Sequence, residues 1–319
     1  MADSGPPKPE LTLVELFKHE PPVIREKMER FWNKTKVFIP MTEIGSVTET
    51  SFKSIDQNDV NIRVYTPEGQ GPFPAIVYYH GGGFVLCNLD THDFVCRALC
   101  KFVEAVVISV EYRLAPEAKY PKGVEDCYAA LCHVHDNAQK YNIDNSKIAV
   151  CGDSAGGNLS TVTCILAKER NGPKISFQGL LYPVTDFAFK KKKDAEDDGK
   201  PKHVSNALDR NAMNYFGRHY LTKRSEAFEP YASPIRADVS NLPPALIIVA
   251  ELDVLRAEGI AYYEKLKEAG VDCKLIDVSG QDHGFLTVWP TPDPQVRETF
   301  EALFKAMKEA LSVSPKANL

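Results

Sequence analysis

A serine becomes a nucleophile at neutral pH only when a base takes its proton and its backbone lifts it clear of its neighbours. Gly152-Asp153-Ser154-Ala155-Gly156 meets the second condition, because it stands between an apolar run, Lys147–Gly152, and a helical stretch, Ala155–Glu169. A G-x-S-x-G turn between strand and helix projects its serine from a tight elbow, and the flanking glycines admit close backbone without Cβ clashes. A second signal lies upstream, where Ala75–Tyr79 runs into His80-Gly81-Gly82-Gly83-Phe84. Acyl transfer passes through a tetrahedral oxyanion that needs fixed N–H donors about 3 Å away. Glycines leave such groups unobstructed, so Gly81 and Gly82, together with Ala155 after the serine, are the expected donors. No lysine or hydroxyl residue follows in the pattern of a phosphate-binding loop. His80 is expected to hold the loop by hydrogen bonds rather than to act as base.

The base has to come from elsewhere. Of eight histidines, His283 alone follows a terminal apolar run in a loop, Ser279-Gly280-Gln281-Asp282-His283-Gly284-Phe285. That is where the chain order Ser…Asp…His places it. His133 and His135 are two apart on a helical stretch and point to different faces, so no metal site is expected. The supporting acid should end the run Ala245–Ala250, leaving Glu251 or Asp253. Asp253 is the better placed, two residues farther into the loop and able to reach His283 Nδ1. Asp282 adjoins the histidine, where neighbouring side chains diverge, and Glu258 sits a turn into the next helix. Phe84, Tyr215 and Phe216 are the aromatic candidates for a pocket wall, with packing inside a cap as their competing role.

Short apolar runs alternate with helical patterns from about residue 74 onward. Strand candidates are Ala75–Tyr79, Val106–Tyr112, Lys147–Gly152, Gln178–Tyr182, Ala245–Ala250 and Cys273–Val278. Their continuous hydrophobicity suits strands buried on both faces of a parallel sheet. Val47–Ile55 and Val60–Thr66 alternate instead, as an antiparallel edge would. Helical stretches fall at Asp90–Val103, Val124–Tyr141, Ala155–Glu169, Val254–Ala269 and Pro294–Leu311. This rhythm predicts a doubly wound α/β sheet. Residues 1–45 carry short amphipathic helices. Residues 185–235 interrupt the sheet with a lysine run (Lys190–Lys193), an acidic run (Asp194–Asp198) and a helix-like stretch, Ser205–Tyr220. Both are expected to fold over the C-terminal edge of the sheet, where open α/β folds bind ligands. The core is then 46–184 with 236–319.

The chain has 319 residues, 44% hydrophobic and 25% charged, with a net charge of −5. Nothing in that balance favours nucleic acid or an anionic membrane as partner. No apolar run approaches the ~18 residues of a membrane span. The polar, Pro-rich start lacks a signal-peptide core, so the expected compartment is the cytoplasm. The eight cysteines form no C-x-x-C pair and read as free thiols.

Taken together, these motifs strongly resemble the hormone-sensitive-lipase-like (class IV) carboxylesterases and the arylacetamide deacetylase relatives. The residues that carry the resemblance are His80-Gly81-Gly82-Gly83-Phe84, Tyr112-Arg113-Leu114-Ala115-Pro116-Glu117, Gly152-Asp153-Ser154-Ala155-Gly156-Gly157, Asp253 and Asp282-His283-Gly284-Phe285. Ser233-Pro234 and Leu242-Pro243-Pro244-Ala245 look like the family's entry into the acid-bearing strand. The departure is Val254, where the family commonly carries proline. The resemblance implies an α/β-hydrolase fold with an eight-stranded sheet and a helical cap. It also implies hydrolysis of short- to medium-chain esters without a cofactor, and any homodimer forming through the last strand. The alternatives it leaves are amide deacetylation on the same machinery, a lipase, and a non-catalytic small-molecule receptor on the same fold. The retained His283 argues against the receptor.

Overall fold

The computed structural model describes residues 13–188 and 208–312. The lysine and acidic runs and Ser205–Ala207 lie outside them. Eight strands form one sheet: β1 (Ser46–Lys53), β2 (Asp59–Thr66), β3 (Phe73–Tyr79), β4 (Val106–Val110), β5 (Ile143–Asp153), β6 (Phe177–Leu181), β7 (Ala245–Ala250) and β8 (Cys273–Val278). The strand order is β1-β2-β4-β3-β5-β6-β7-β8. β2 pairs antiparallel with both β1 and β4, and every other pairing is parallel.

The helices are α1 (Leu13–Leu16), α2 (Pro21–Thr35), α3 (Asp93–Val103), α4 (Lys122–Asp136), α5 (Ala155–Glu169), α6 (Arg210–Tyr220), α7 (Arg256–Glu268) and α8 (Pro294–Ser312). The period-2 geometry of a strand assigns alternate residues to opposite faces. Val77, Tyr79, Val150 and Ile247 pack toward α4 and α5, while Ile76, Tyr78, Ala149 and Ile248 pack toward α3 and α8. Both faces are therefore covered, which is why these strands read as unbroken apolar runs. Each fully buried aliphatic contributes about 1.5–3 kcal/mol relative to exposure.

Of the boundaries that differ from expectation, three do so where a polar side chain offers the backbone another partner. α3 begins at Asp93, not Asp90, because Asn88 Oδ1 accepts the N–H groups of Asp90 and Thr91 at 3.1 Å. α4 stops at Asp136, where the Asn137 N–H and side-chain amide both donate to the His133 carbonyl. α7 begins at Arg256, because Asp253 Oδ1 accepts the Leu255 N–H at 2.9 Å.

α1, α2 and α6 lie outside the sheet's two helical layers and pack on one another. The Phe17 ring sits 5.0 Å from Tyr215 and 5.2 Å from Phe216. Arg25 of α2 fastens this layer to the core. Its guanidinium donates to the Val85 carbonyl at 2.7 Å and the Ala115 carbonyl at 2.6 Å, and it grips Glu117 through two bonds of 2.9 Å. Among the described residues no helix is long and apolar enough to cross a membrane.

Candidate active site

Ser154 occupies the turn between β5 and α5 with φ 55° and ψ −115°. That is strained backbone for a residue with a side chain, a conformation that persists only where its surroundings over-determine it. Here the Ser154 N–H donates to the Leu181 carbonyl at 2.8 Å, and the Ser154 carbonyl accepts from Val184 at 3.2 Å. Gly156 has to be glycine, since a Cβ there would lie 1.8 Å from the Tyr79 carbonyl oxygen.

His283 Nε2 lies 2.9 Å from Ser154 Oγ, and its Nδ1 lies 2.6 Å from Asp253 Oδ2. A carboxylate on Nδ1 fixes the tautomer that leaves Nε2 facing the hydroxyl. The Asp253 side chain is fully buried and that of His283 is 12% exposed. The two loops are stitched together behind them, with Leu252 N–H donating to the Gln281 carbonyl at 3.0 Å. Of the other acids weighed, Glu251 accepts from Ser279 Oγ and Gly280 N–H, and Asp282 accepts the His283 N–H. Glu258 accepts the Thr185 N–H at 2.8 Å, and burial pushes its carboxyl up to about 8.

The glycine loop arrives beside this group but not as expected at Gly81. The Gly81 N–H donates to Asp153 Oδ1 at 3.0 Å, so it is already committed. Gly82 and Gly83 carry positive φ of 104° and 62° and line the cavity in front of Ser154. Their N–H groups have no acceptor among the described residues. Ala155 opens α5, so its N–H lacks an intrahelical partner. The three uncommitted donors are therefore those of Gly82, Gly83 and Ala155. His80 acts as a brace: Tyr112 Oη donates to its carbonyl at 2.7 Å and the two rings stack at 4.4 Å. Burial pushes the His80 imidazole down to about 3.

A cavity of about 410 Å³ opens onto Ser154 and His283. Phe84 and Phe216 line it, as do Phe17, Ile24, Met28 and Met213 from the layer above. Tyr215 does not. Its ring packs against Phe17 and His219, and its hydroxyl donates to the His19 carbonyl at 3.0 Å. Adjacent helical residues point about 100° apart, so Phe216 and Met213 share the cavity face while Tyr215 shares its face with His219.

Residues 76–287 match the alpha/beta hydrolase fold family. The chain belongs to that family. It is 41% identical over 262 residues to carboxylesterase NlhH of Mycobacterium tuberculosis, covering 79% of each chain. It is 34% identical over 296 residues to an arylesterase of Saccharolobus solfataricus, covering 92% of this chain and 93% of that one. Among solved structures, an esterase of Pyrobaculum calidifontis superimposes with a TM-score of 0.85 at 40% identity, covering 93% of this chain and 95% of its own.

Two cavity-lining residues of this hydrolase had a sequence signal that carried no role. Asp153 lies inside the nucleophile motif, and Met213 stands three residues before Phe216 on the α6 face. The lining from α1 and α2 had none beyond amphipathicity. Among the described residues no group of three or more His, Cys, Asp or Glu side chains is arranged to hold a metal ion.

Proposed function

We propose that the protein is a serine carboxylesterase acting on small esters of short to medium acyl chain through an acyl-enzyme intermediate. The observation that carries the reading is the continuous relay from Ser154 Oγ through His283 to the buried Asp253 carboxylate, at 2.9 and 2.6 Å. His283 Nε2 takes the Ser154 proton as Oγ attacks the ester carbonyl. Asp253 holds the imidazole in register and stabilises the cation that forms. The N–H groups of Gly82, Gly83 and Ala155 receive the oxyanion. The alcohol departs with the proton from His283. Water then gives a proton to His283, attacks the acyl carbon and releases the acid, and Ser154 recovers its proton.

The cavity supports the acyl-length preference. Its 410 Å³ lies toward the small end of the ~300–1,000 Å³ typical of ligand pockets, and the walls from α1, α2 and α6 are apolar. In this reading the cap proposed for the stretches 1–45 and 185–235 rests on their described residues, 13–45, 185–188 and 208–235. The names of the relatives, carboxylesterase and arylesterase, agree with this chemistry. Eight unbridged cysteines support a reducing, cytoplasmic setting. The outer edge of β8 is the surface through which a homodimer would form, and sedimentation velocity would register that dimer.

The test is turnover of p-nitrophenyl acetate, butyrate, octanoate and palmitate, with an anilide of the same acids alongside. The expected result is fastest turnover on the short esters and a loss of ~10⁴ or more in Ser154→Ala. A wild type inert on every ester, or an anilide turned over faster than its ester, would overturn the reading.

A further inference from the structure

The second residue of the nucleophile motif, Asp153, is a buried carboxylate only 3% exposed, at the edge of the cavity where negative charge is to develop. A carboxylate in that place opposes an oxyanion by simple repulsion, and removal from water opposes its own charge. The structure nevertheless surrounds it with donors from three elements. Tyr78 Oη of β3 donates to Oδ1 at 2.7 Å, and the Gly81 N–H donates to the same oxygen at 3.0 Å. His92, just before α3, brings Nε2 within 3.2 Å of both carboxylate oxygens. His92 Nδ1 is held in turn by Thr91 Oγ1 at 2.9 Å. Burial raises the Asp153 carboxyl, yet His92 and the Tyr78 hydroxyl outweigh it and hold the group below the usual carboxylate range.

The close approach to Gly81 explains why the loop begins with glycine. A Cβ on Gly81 would lie 2.2 Å from Asp153 Oδ2. The first glycine is thus cut to fit the carboxylate, while the next two, with positive φ, turn toward the cavity. We propose that Asp153 is the positioning residue of the oxyanion hole. Its carboxylate, steadied by His92 and Tyr78, accepts the Gly81 N–H and thereby sets where the Gly82 and Gly83 N–H groups point. Asp153 makes no bond to the reacting atoms; it acts through the loop. The proposal rests on the esterase reading given above.

The test measures kcat and KM on p-nitrophenyl butyrate, per active site titrated with an organophosphonate, together with affinity for an aryl boronic acid whose tetrahedral adduct mimics the oxyanion. Displaced donors lose much of the ~10²–10³ that an oxyanion contact supplies. Asp153→Ala should therefore lower kcat by about 10² or more with KM within about threefold, and weaken the boronic acid in proportion. Asp153→Asn keeps an oxygen for the Gly81 N–H and should stay within about tenfold of wild type. Gly81→Ala should lose about as much as Asp153→Ala, and the double variant little more than either, because both break one contact.

Asp153→Ala with kcat within threefold per titrated site overturns the proposal. So do additive losses in the double variant, or a loss confined to KM with boronic-acid affinity intact. If Asp153→Ala does not fold, an Asp153→Asn loss of about 10² or more overturns it, and retention beside an impaired Gly81→Ala supports it. A wild type without ester turnover removes the esterase reading itself. An active wild type with an unaffected Asp153→Ala removes this proposal alone.

Discussion

The sheet edge and the roof above it are held by different forces. At the edge, Ser154, the glycine loop and the Asp253 and His283 loops hang on main-chain bonds and buried polar groups, with Asp253 fully enclosed. The roof of α1, α2 and α6 rests on ring packing among Phe17, Tyr215 and Phe216 and on a few side-chain ties. These include Arg25 and the Lys119 ammonium on the Leu221 carbonyl. Backbone ladders and buried networks fix atoms to within fractions of an ångström, as bond making demands. Apolar packing fixes a volume more loosely. On the function proposed above, reactivity then belongs to the edge and the choice of acyl group to the roof.

The comparison breaks first, and hardest, at His283. His283→Ala should lower kcat by ~10⁴ or more with little change in KM, measured on p-nitrophenyl butyrate. Asp253→Asn, which keeps shape but loses the charge that fixes the tautomer, should lower kcat by roughly 10³–10⁴. Either variant retaining more than a tenth of the wild-type kcat would contradict the division.

Effects at the tie between edge and roof should be smaller. Arg25→Ala removes donors from the Val85 and Ala115 carbonyls as well as the Glu117 pair. It should reduce kcat/KM by about tenfold and lower Tm by several degrees. Glu117→Gln, at a carboxylate 55% exposed, should change kcat/KM by less than about threefold, because exposed ion pairs contribute little. Equal losses in the two variants would mean the main-chain bonds of Arg25 do not matter.

The smallest effect on kcat, and the most selective, should come from Met213→Ala in the cavity wall. The added space should lower KM for octanoate relative to acetate while kcat on acetate stays within about threefold. An unchanged chain-length profile would remove the roof from specificity.

The same division governs what could be read from residues alone. The central strands β3, β4, β6 and β7 were legible because both faces are buried, giving apolar runs punctuated by glycine and proline. By contrast β8, read the same way, is an edge strand only partly buried. The proposed nucleophile, Ser154, sits at the end of another such run. The orientation of three consecutive glycines was not. Spacing cannot reveal which N–H turns inward, and only the Asp153 contact shows that Gly81 faces away from the cavity. Phe216 and Tyr215 were equal candidates by type, and helix phase, anchored at Met213, separates them. The faces of α1 and α2 announced burial without naming what they bury against, because an amphipathic stripe carries no address.

The measurement closest to the central claim is covalent trapping. Wild type treated with diethyl p-nitrophenyl phosphate should gain one diethylphosphoryl group, located by peptide mass spectrometry on Ser154, with esterase activity falling in proportion. Ser154→Ala should remain unlabelled, and His283→Ala should label far more slowly, because the serine then lacks its base. Stoichiometric labelling at any other residue, or full ester turnover after Ser154 is blocked, would contradict the account.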